Sequence, residues 1–182
     1  ILDLGLEHKI LEKKGAKVGM LTTEGFRDSL EIRRGIRENQ WDHRAPFPEV
    51  LVPRYLRLPV RGRIAADATE LAPLVLEDVA AAGRVFSEEG VESVAVCLFN
   101  SFLDGAHERA AGKRLAESWS GQWVSLSSDV MPTMGEYERG STAVVNAYIA
   151  PKVTSYLRAL DEQLRQLGLP RSLLLLQSNG GA

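Results

Sequence analysis

Apolar and polar positions follow two rhythms along this chain. KVGMLT (Lys17 to Thr22) is a short apolar run that predicts a buried strand. Gly15 ahead of it closes a predicted helix whose apolar side is Leu6, Ile10 and Leu11. TTEGFRDSLEIRR predicts a turn and then a helix, with Thr23 as N-cap and Phe26, Leu30 and Ile32 inward. Residues 38–53 hold three prolines and read as an extended surface connection. Beyond them Leu56, Leu58 and Val60 fall on one face and Arg57 and Arg61 on the other, which predicts a half-buried strand. Pro59 places that strand at a sheet edge, and Asp67 to Glu70 turns it into a hairpin.

From Leu76 the rhythm alternates between helix and strand. LEDVAAAGRVFSEEG is a helix ended by Gly90, with Val79, Ala82 and Phe86 inward. VESVAVCLF is a β-branched strand, DGAHERAAGKRLAESW a helix capped by Asp104, and QWVSLSSDV another strand. Such alternation predicts parallel strands joined by crossover helices. Two helices follow, EYERGSTAVVNAYIA and PKVTSYLRALDEQLRQLG. The second starts at Pro151, ends at Gly168, and carries a 3.6-period stripe of Val153, Tyr156, Leu157, Leu160, Leu164 and Leu167. SLLLLQS is a final strand, running into the turn SNGG. The class is α/β with a mixed, largely parallel sheet, divided at 1–75, 76–132 and 133–182.

Composition narrows the function classes. Hydrophobic residues make up 45% and charged residues 25% of the 182, with a net charge of −2. Basic and acidic residues are interspersed, so there is no electrostatic footprint for nucleic acid or an anionic membrane. The densest basic string, RRGIR (Arg33 to Arg37), reads as a solvated helix end. The single cysteine, Cys97, excludes an internal disulfide and fits a reducing compartment, so the expected location is cytoplasmic.

The densest candidate chemistry lies in GEYERGSTAVVNAYIAP, Gly135 to Pro151. On a helix, Glu138, Thr142 and Asn146 are spaced by four and share a face, flanked by Ser141. A carboxylate, a hydroxyl and an amide in a row suit a polar ligand. The competing reading has Glu138 and Arg139 solvated and Asn146 tying down a backbone turn. Ser178, Asn179, Gly180 and Gly181 form the second candidate, since glycines after a strand let a ligand approach backbone N–H groups. Its competitor is an ordinary strand-to-loop turn. His107 and Glu108 follow Asp104 and read as capping and solvation, because no second His or Cys stands at ligand spacing, and no metal site is expected. Cys97, inside VAVCLF, reads as core filler. Neither a phosphate-loop nor a nucleophile-elbow motif occurs.

Four stretches, taken in order, resemble the hydantoinase A / 5-oxoprolinase family. They are ILEKKGAKVGMLTTEGFRD, VESVAVCLFNSFLDGAHE, VSLSSDVMPTMGEYERGSTAVVNAYIAP and LLLLQSNGG. The family includes N-methylhydantoinase A and subunits of acetone and acetophenone carboxylases. The resemblance implies an internal fragment of a two-lobed, actin/sugar-kinase-like (ribonuclease H-like) fold. Residues 1–75 would end the N-terminal lobe with an extended edge hairpin, 76–132 would form an α/β subdomain, and 133–182 a helical pair and the first strand of the second lobe. It implies hydrolysis of cyclic amides (hydantoin, oxoproline) or carboxylation of ketones, driven by ATP and Mg2+, with phosphorylation activating the amide or enolate. It also implies an oligomer containing a hydantoinase B-type partner; a non-catalytic assembly domain for that partner is the alternative. Glu138 would be a base or ion-pair partner at the cleft. Ser141, Thr142, Asn146, Ser178, Asn179, Gly180 and Gly181 would line or brace it. The family's Asp-x-Gly-Gly-Thr phosphate loop does not occur in this sequence, so no ATP contact falls on a named residue.

Overall fold

A computed structural model describes residues 15–35, 41–42, 44, 50–169 and 174–175. The expected first helix, the final strand as a whole and the SNGG turn lie outside these residues.

The elements, in chain order, are strand β1 (Val18–Thr23), helix α1 (Ser29–Ile32), β2 (Arg57–Val60), β3 (Arg63–Ile64), β4 (Glu70–Ala72), α2 (Leu76–Glu88), β5 (Ser93–Cys97), α3 (Ala106–Ser118), β6 (Trp123–Leu126), α4 (Ser127–Val130) and α5 (Glu136–Gln166). Four strands form one parallel sheet in the order β2-β1-β5-β6, and β3 and β4 form an antiparallel hairpin beside it. Pro59 sits in β2, at the sheet edge, where a missing N–H costs no ladder bond. β1 and β5 are buried along their whole length, as parallel strands covered on both faces must be.

Two close approaches define the layers. A Cβ on Gly19 would lie 2.6 Å from the Phe86 ring, so this face of β1 presses on α2. On the opposite face, a Cβ on Gly140 would meet Cys97 Sγ and Met20 Cε at 3.4 Å, so α5 lies flush on the centre of the sheet. Val79, Ala82 and Phe86 of α2 and Ala111 and Leu115 of α3 fill one side; Ala143, Val144 and Ala147 of α5 fill the other.

Four local expectations are corrected. Arg57 is fully buried instead of facing water: it points to the side covered by α1, donating to Glu31 Oε1 (2.5 Å), Val52 O (3.1 Å) and Arg27 O (3.3 Å). Thr23 belongs to β1 and caps no helix; the short α1 starts after Asp28. Asp104 stands one residue outside the α3 N-cap, Gly105, and accepts the Ala106 N–H at 2.9 Å. The helical pair is one helix, with Pro151 inside it. A break there would create two new ends with up to four unpaired N–H and four unpaired C=O groups, whereas running through forfeits one bond.

Candidate functional site

Ligands in open parallel sheets lie beyond the carboxyl ends of the strands, where the strand order reverses. Here the reversal falls between β1 and β5, since β1 leads outward to β2 on one side and β5 to β6 on the other. That crevice is capped. Phe26, after β1, and Phe99, after β5, stack with ring centroids 4.5 Å apart. The Arg63 guanidinium lies over both, 3.9 Å from the Phe99 centroid and 5.1 Å from that of Phe26. The Phe99 N–H donates to Thr23 Oγ1 (2.9 Å), and Asn100 Nδ2 donates to Ile64 O (2.9 Å), which ties the hairpin across the top.

Beneath the same edge lies a buried charged cluster. Glu108, on α3, is fully buried and accepts four hydrogen bonds, from Leu98 N (2.8 Å), Ser101 Oγ (2.7 Å), Ser127 Oγ (2.6 Å) and Ser128 N (2.8 Å). Arg139, on α5, is fully buried too, and donates to Ser127 Oγ (2.9 Å), Leu98 O (2.7 Å) and Glu136 Oε2 (2.6 Å). Ser127 thus relays between the two charges. Burial alone would lower the Arg139 pKa; its neighbours, with the Glu136 and Glu108 carboxylates as the negative charges near neutral pH, outweigh it and raise the value. A buried ion is tolerable only when paired and hydrogen-bonded, and this one pairs with Glu136 and also donates to Ser127 Oγ, Leu98 O and Thr133 O. The cluster locks the ends of β5 and β6 to α3 and α5. Burial pushes the Cys97 thiol up to about 12, so it stays protonated near neutral pH, as expected of core filler.

Beside the capped crevice is an open groove of about 520 Å³, between the β1–α1 segment and the first turn of α5. Gly25, Phe26, Asp28, Ile32, Arg33 and Arg34 line one wall; Glu136, Tyr137 and Glu138 line the other. Arg34 Nε meets Glu138 Oε1 across it at 2.5 Å. That bond holds the Glu138 carboxyl below the usual glutamate range. Glu138 is therefore an anion and an ion-pair partner.

The sequence-nominated residues separate in space. Glu138 lines the groove. Ser141 Oγ bonds back to Tyr137 O, and Thr142 Oγ1 to Glu138 O (2.8 Å) and Met131 Sδ (3.1 Å). Asn146 Nδ2 donates to Ser125 Oγ of β6 at 3.0 Å. These three brace α5 and its seat on the sheet, and none of them lines the groove. Ser178, Asn179, Gly180 and Gly181 lie outside the described residues. The expected solvation of Arg139 and Glu108 is overturned by their burial. A signal was present for both: Arg139, Ala143 and Ala147 share one face of α5, and Glu108, Ala111 and Leu115 one face of α3, so each charge stands in an apolar stripe. His107 Nε2 lies 2.6 Å from Glu70 Oε1, a link between α3 and β4.

The groove sets Arg33 and Arg34 against Asp28, Glu136 and Glu138, which makes a poor cradle for a triphosphate. Among the described residues no three His, Cys, Asp or Glu side chains converge on a point that would hold a metal ion.

Comparison with known proteins adds identity to the geometry. Residues 8–119 match the family pattern described as the hydantoinase/oxoprolinase N-terminal region. Residues 139–182 match the pattern described as hydantoinase/oxoprolinase. The chain is 38% identical over 174 residues to caprolactamase subunit alpha of Pseudomonas jessenii, covering 94% of this chain and 25% of the relative. It is 30% identical over 190 residues to the acetophenone carboxylase gamma subunit of Aromatoleum aromaticum, covering 96% of this chain and 26% of the relative. The crystal structure of the ATP-dependent caprolactamase from Pseudomonas jessenii superposes with a TM-score of 0.85 at 37% identity, over 98% of this chain and 26% of that one. The chain thus spans about a quarter of the length of these relatives.

Proposed function

This chain belongs to the hydantoinase/oxoprolinase family, and from that premise we propose that it is part of an ATP-dependent enzyme that opens cyclic amides. The observation that carries the reading is the match to the P. jessenii caprolactamase, in sequence along 94% of the chain and in fold at a TM-score of 0.85. Lactams, hydantoins and 5-oxoproline share one difficulty, an amide whose resonance must be broken before water can attack. ATP, with Mg2+, would supply the activation, bound outside the residues described here. Carboxylation of a ketone, the activity named in the acetophenone relative, is the second reading, because enolate formation calls for the same activation.

Within this scheme the groove between α1 and α5 faces the substrate side. Glu138 orients the groove wall through Arg34, while Ser141, Thr142 and Asn146 brace it. Ser178, Asn179, Gly180 and Gly181 would present polar groups and backbone donors to the cleft. Both relatives are named as subunits, which supports a partner subunit for this protein; a hydantoinase B type is our proposal for it. The expected compartment is the cytoplasm; no described helix is long and apolar enough to cross a membrane.

The test uses the full-length protein with its partner subunit, following ADP formation and ring opening with caprolactam, hydantoin and 5-oxoproline, and carboxylation with acetophenone and bicarbonate. Ring opening that requires ATP is the expected result. Turnover of acetophenone alone would move the assignment to the carboxylases, and no ATP-dependent turnover of any of the four would overturn it. Asn179→Ala should lose most of the ATP-dependent turnover; unchanged kinetics would remove Asn179 from the site.

A further inference from the structure

Helix α1 ends in a turn that its sequence does not suit. The Gly35 N–H donates to Ile32 O at 2.8 Å, which closes a turn over Ile32–Gly35. Arg33 takes the first central position, with φ 54° and ψ −130°. These are the values of that position in a type II′ turn, where glycine is ordinarily found because a Cβ is crowded there. An arginine held there costs the fold stability. Its side chain repays nothing in structure. Arg33 is half-buried and lines the groove of about 520 Å³ between α1 and α5. The three carboxylates of that groove are already matched. Asp28 accepts two bonds from Arg54 (2.8 and 3.0 Å), Glu136 one from Arg139 (2.6 Å) and Glu138 one from Arg34 (2.5 Å). Arg33 is thus the one charged group lining the groove that has no ion-pair partner among the described residues.

We propose that Arg33 anchors a subsite for a small monocarboxylate with a compact apolar body. A guanidinium presents a planar fork of donors that matches one carboxylate in two parallel bonds. The apolar body has its own wall: Gly25, Phe26, Ile32 and Tyr137 line the same groove, and Ile32 is 62% exposed. The matched carboxylates limit the ligand to one negative charge, since a second would face Asp28, Glu136 and Glu138 with no unmatched cation to answer it. The turn accounts for arginine standing where glycine would fit better, because strain at a ligand-holding residue is kept when the side chain is needed. The inference goes beyond ring opening. It fixes the charge and shape of what the groove holds, and it is read by binding and not by turnover, so either reading can fail without the other.

Calorimetric titration of the full-length protein tests it, with cyclopentanecarboxylate beside its neutral isostere cyclopentanecarboxamide. Expected is binding of the acid at least about tenfold tighter than that of the amide. Arg33→Gly and Arg33→Gln should each weaken acid binding by at least about tenfold and leave the amide unaffected. Arg33→Gly also relieves the turn, so its urea midpoint should equal or exceed the parent's. Equal affinity for acid and amide, no binding of the acid, or acid binding untouched in both variants would overturn the proposal. So would a clearly lower midpoint for Arg33→Gly, since Arg33 would then serve the fold.

Discussion

Two ion pairs leave the first turn of α5 and meet opposite fates. Glu136 pairs with Arg139, whose side chain is completely buried, and Arg139 shares Ser127 with Glu108. Glu138 pairs with Arg34, whose side chain is 68% exposed. The partners are alike in chemistry and two residues apart in sequence. The buried pair is held by a web of hydrogen bonds through Ser127, Leu98 and Glu108, so it is a structural lock. The exposed pair is screened and solvated, so it holds a groove wall at little energetic consequence either way.

The sharpest way to break the contrast is Glu108→Ala. Four donors would lose their acceptor and the buried Arg139 guanidinium a nearby negative charge, and urea unfolding should show a loss of about 3–5 kcal/mol. A loss within experimental scatter would mean that the cluster is not locked. Ser127→Ala removes only the relay and should cost about 1.5–3 kcal/mol by the same measurement. Arg34→Ala should leave the urea midpoint unmoved near neutral pH, in low and high salt alike. The smallest effect is the pH dependence of Glu138. Its folded pKa lies below the ordinary 4.5, chiefly through the hydrogen bond from Arg34. Its contribution to stability is therefore present above that ordinary value and disappears as pH falls through the folded one. Glu138→Gln should flatten the acid limb of the stability profile slightly and change nothing at pH 7.

Sequence periodicity located β1, β2, β5 and Trp123–Leu126 of β6, whereas Ser127 to Val130, read as the end of that last strand, is helix α4. β1 and β5 announced themselves as apolar runs, Pro59 marked the edge, and Gly90, at φ 63°, ended α2 as expected. Charge in the interior was what it misread. Arg57, Glu108 and Arg139 carry residue types that are almost always solvated, and only the tertiary supply of partners reverses that preference. Pro151 misled for a related reason: proline favours the first turn of a helix, and local preference is silent about the cost of making two new ends. The groove was illegible altogether, because its walls are more than a hundred residues apart in sequence, at Arg34 and Glu138. Glu138 was singled out, but its partner was not.

The unbroken α5 has a mechanical implication. At 1.5 Å per residue its 31 residues make a rod about 46 Å long, seated on the sheet along its first part, from Gly140 to Ala147. A rod held that way is a lever: a few degrees of tilt at the root sweep the far tip through several ångströms. Any displacement of the strand ends beneath Arg139 is thereby magnified on its way to whatever grips the other end.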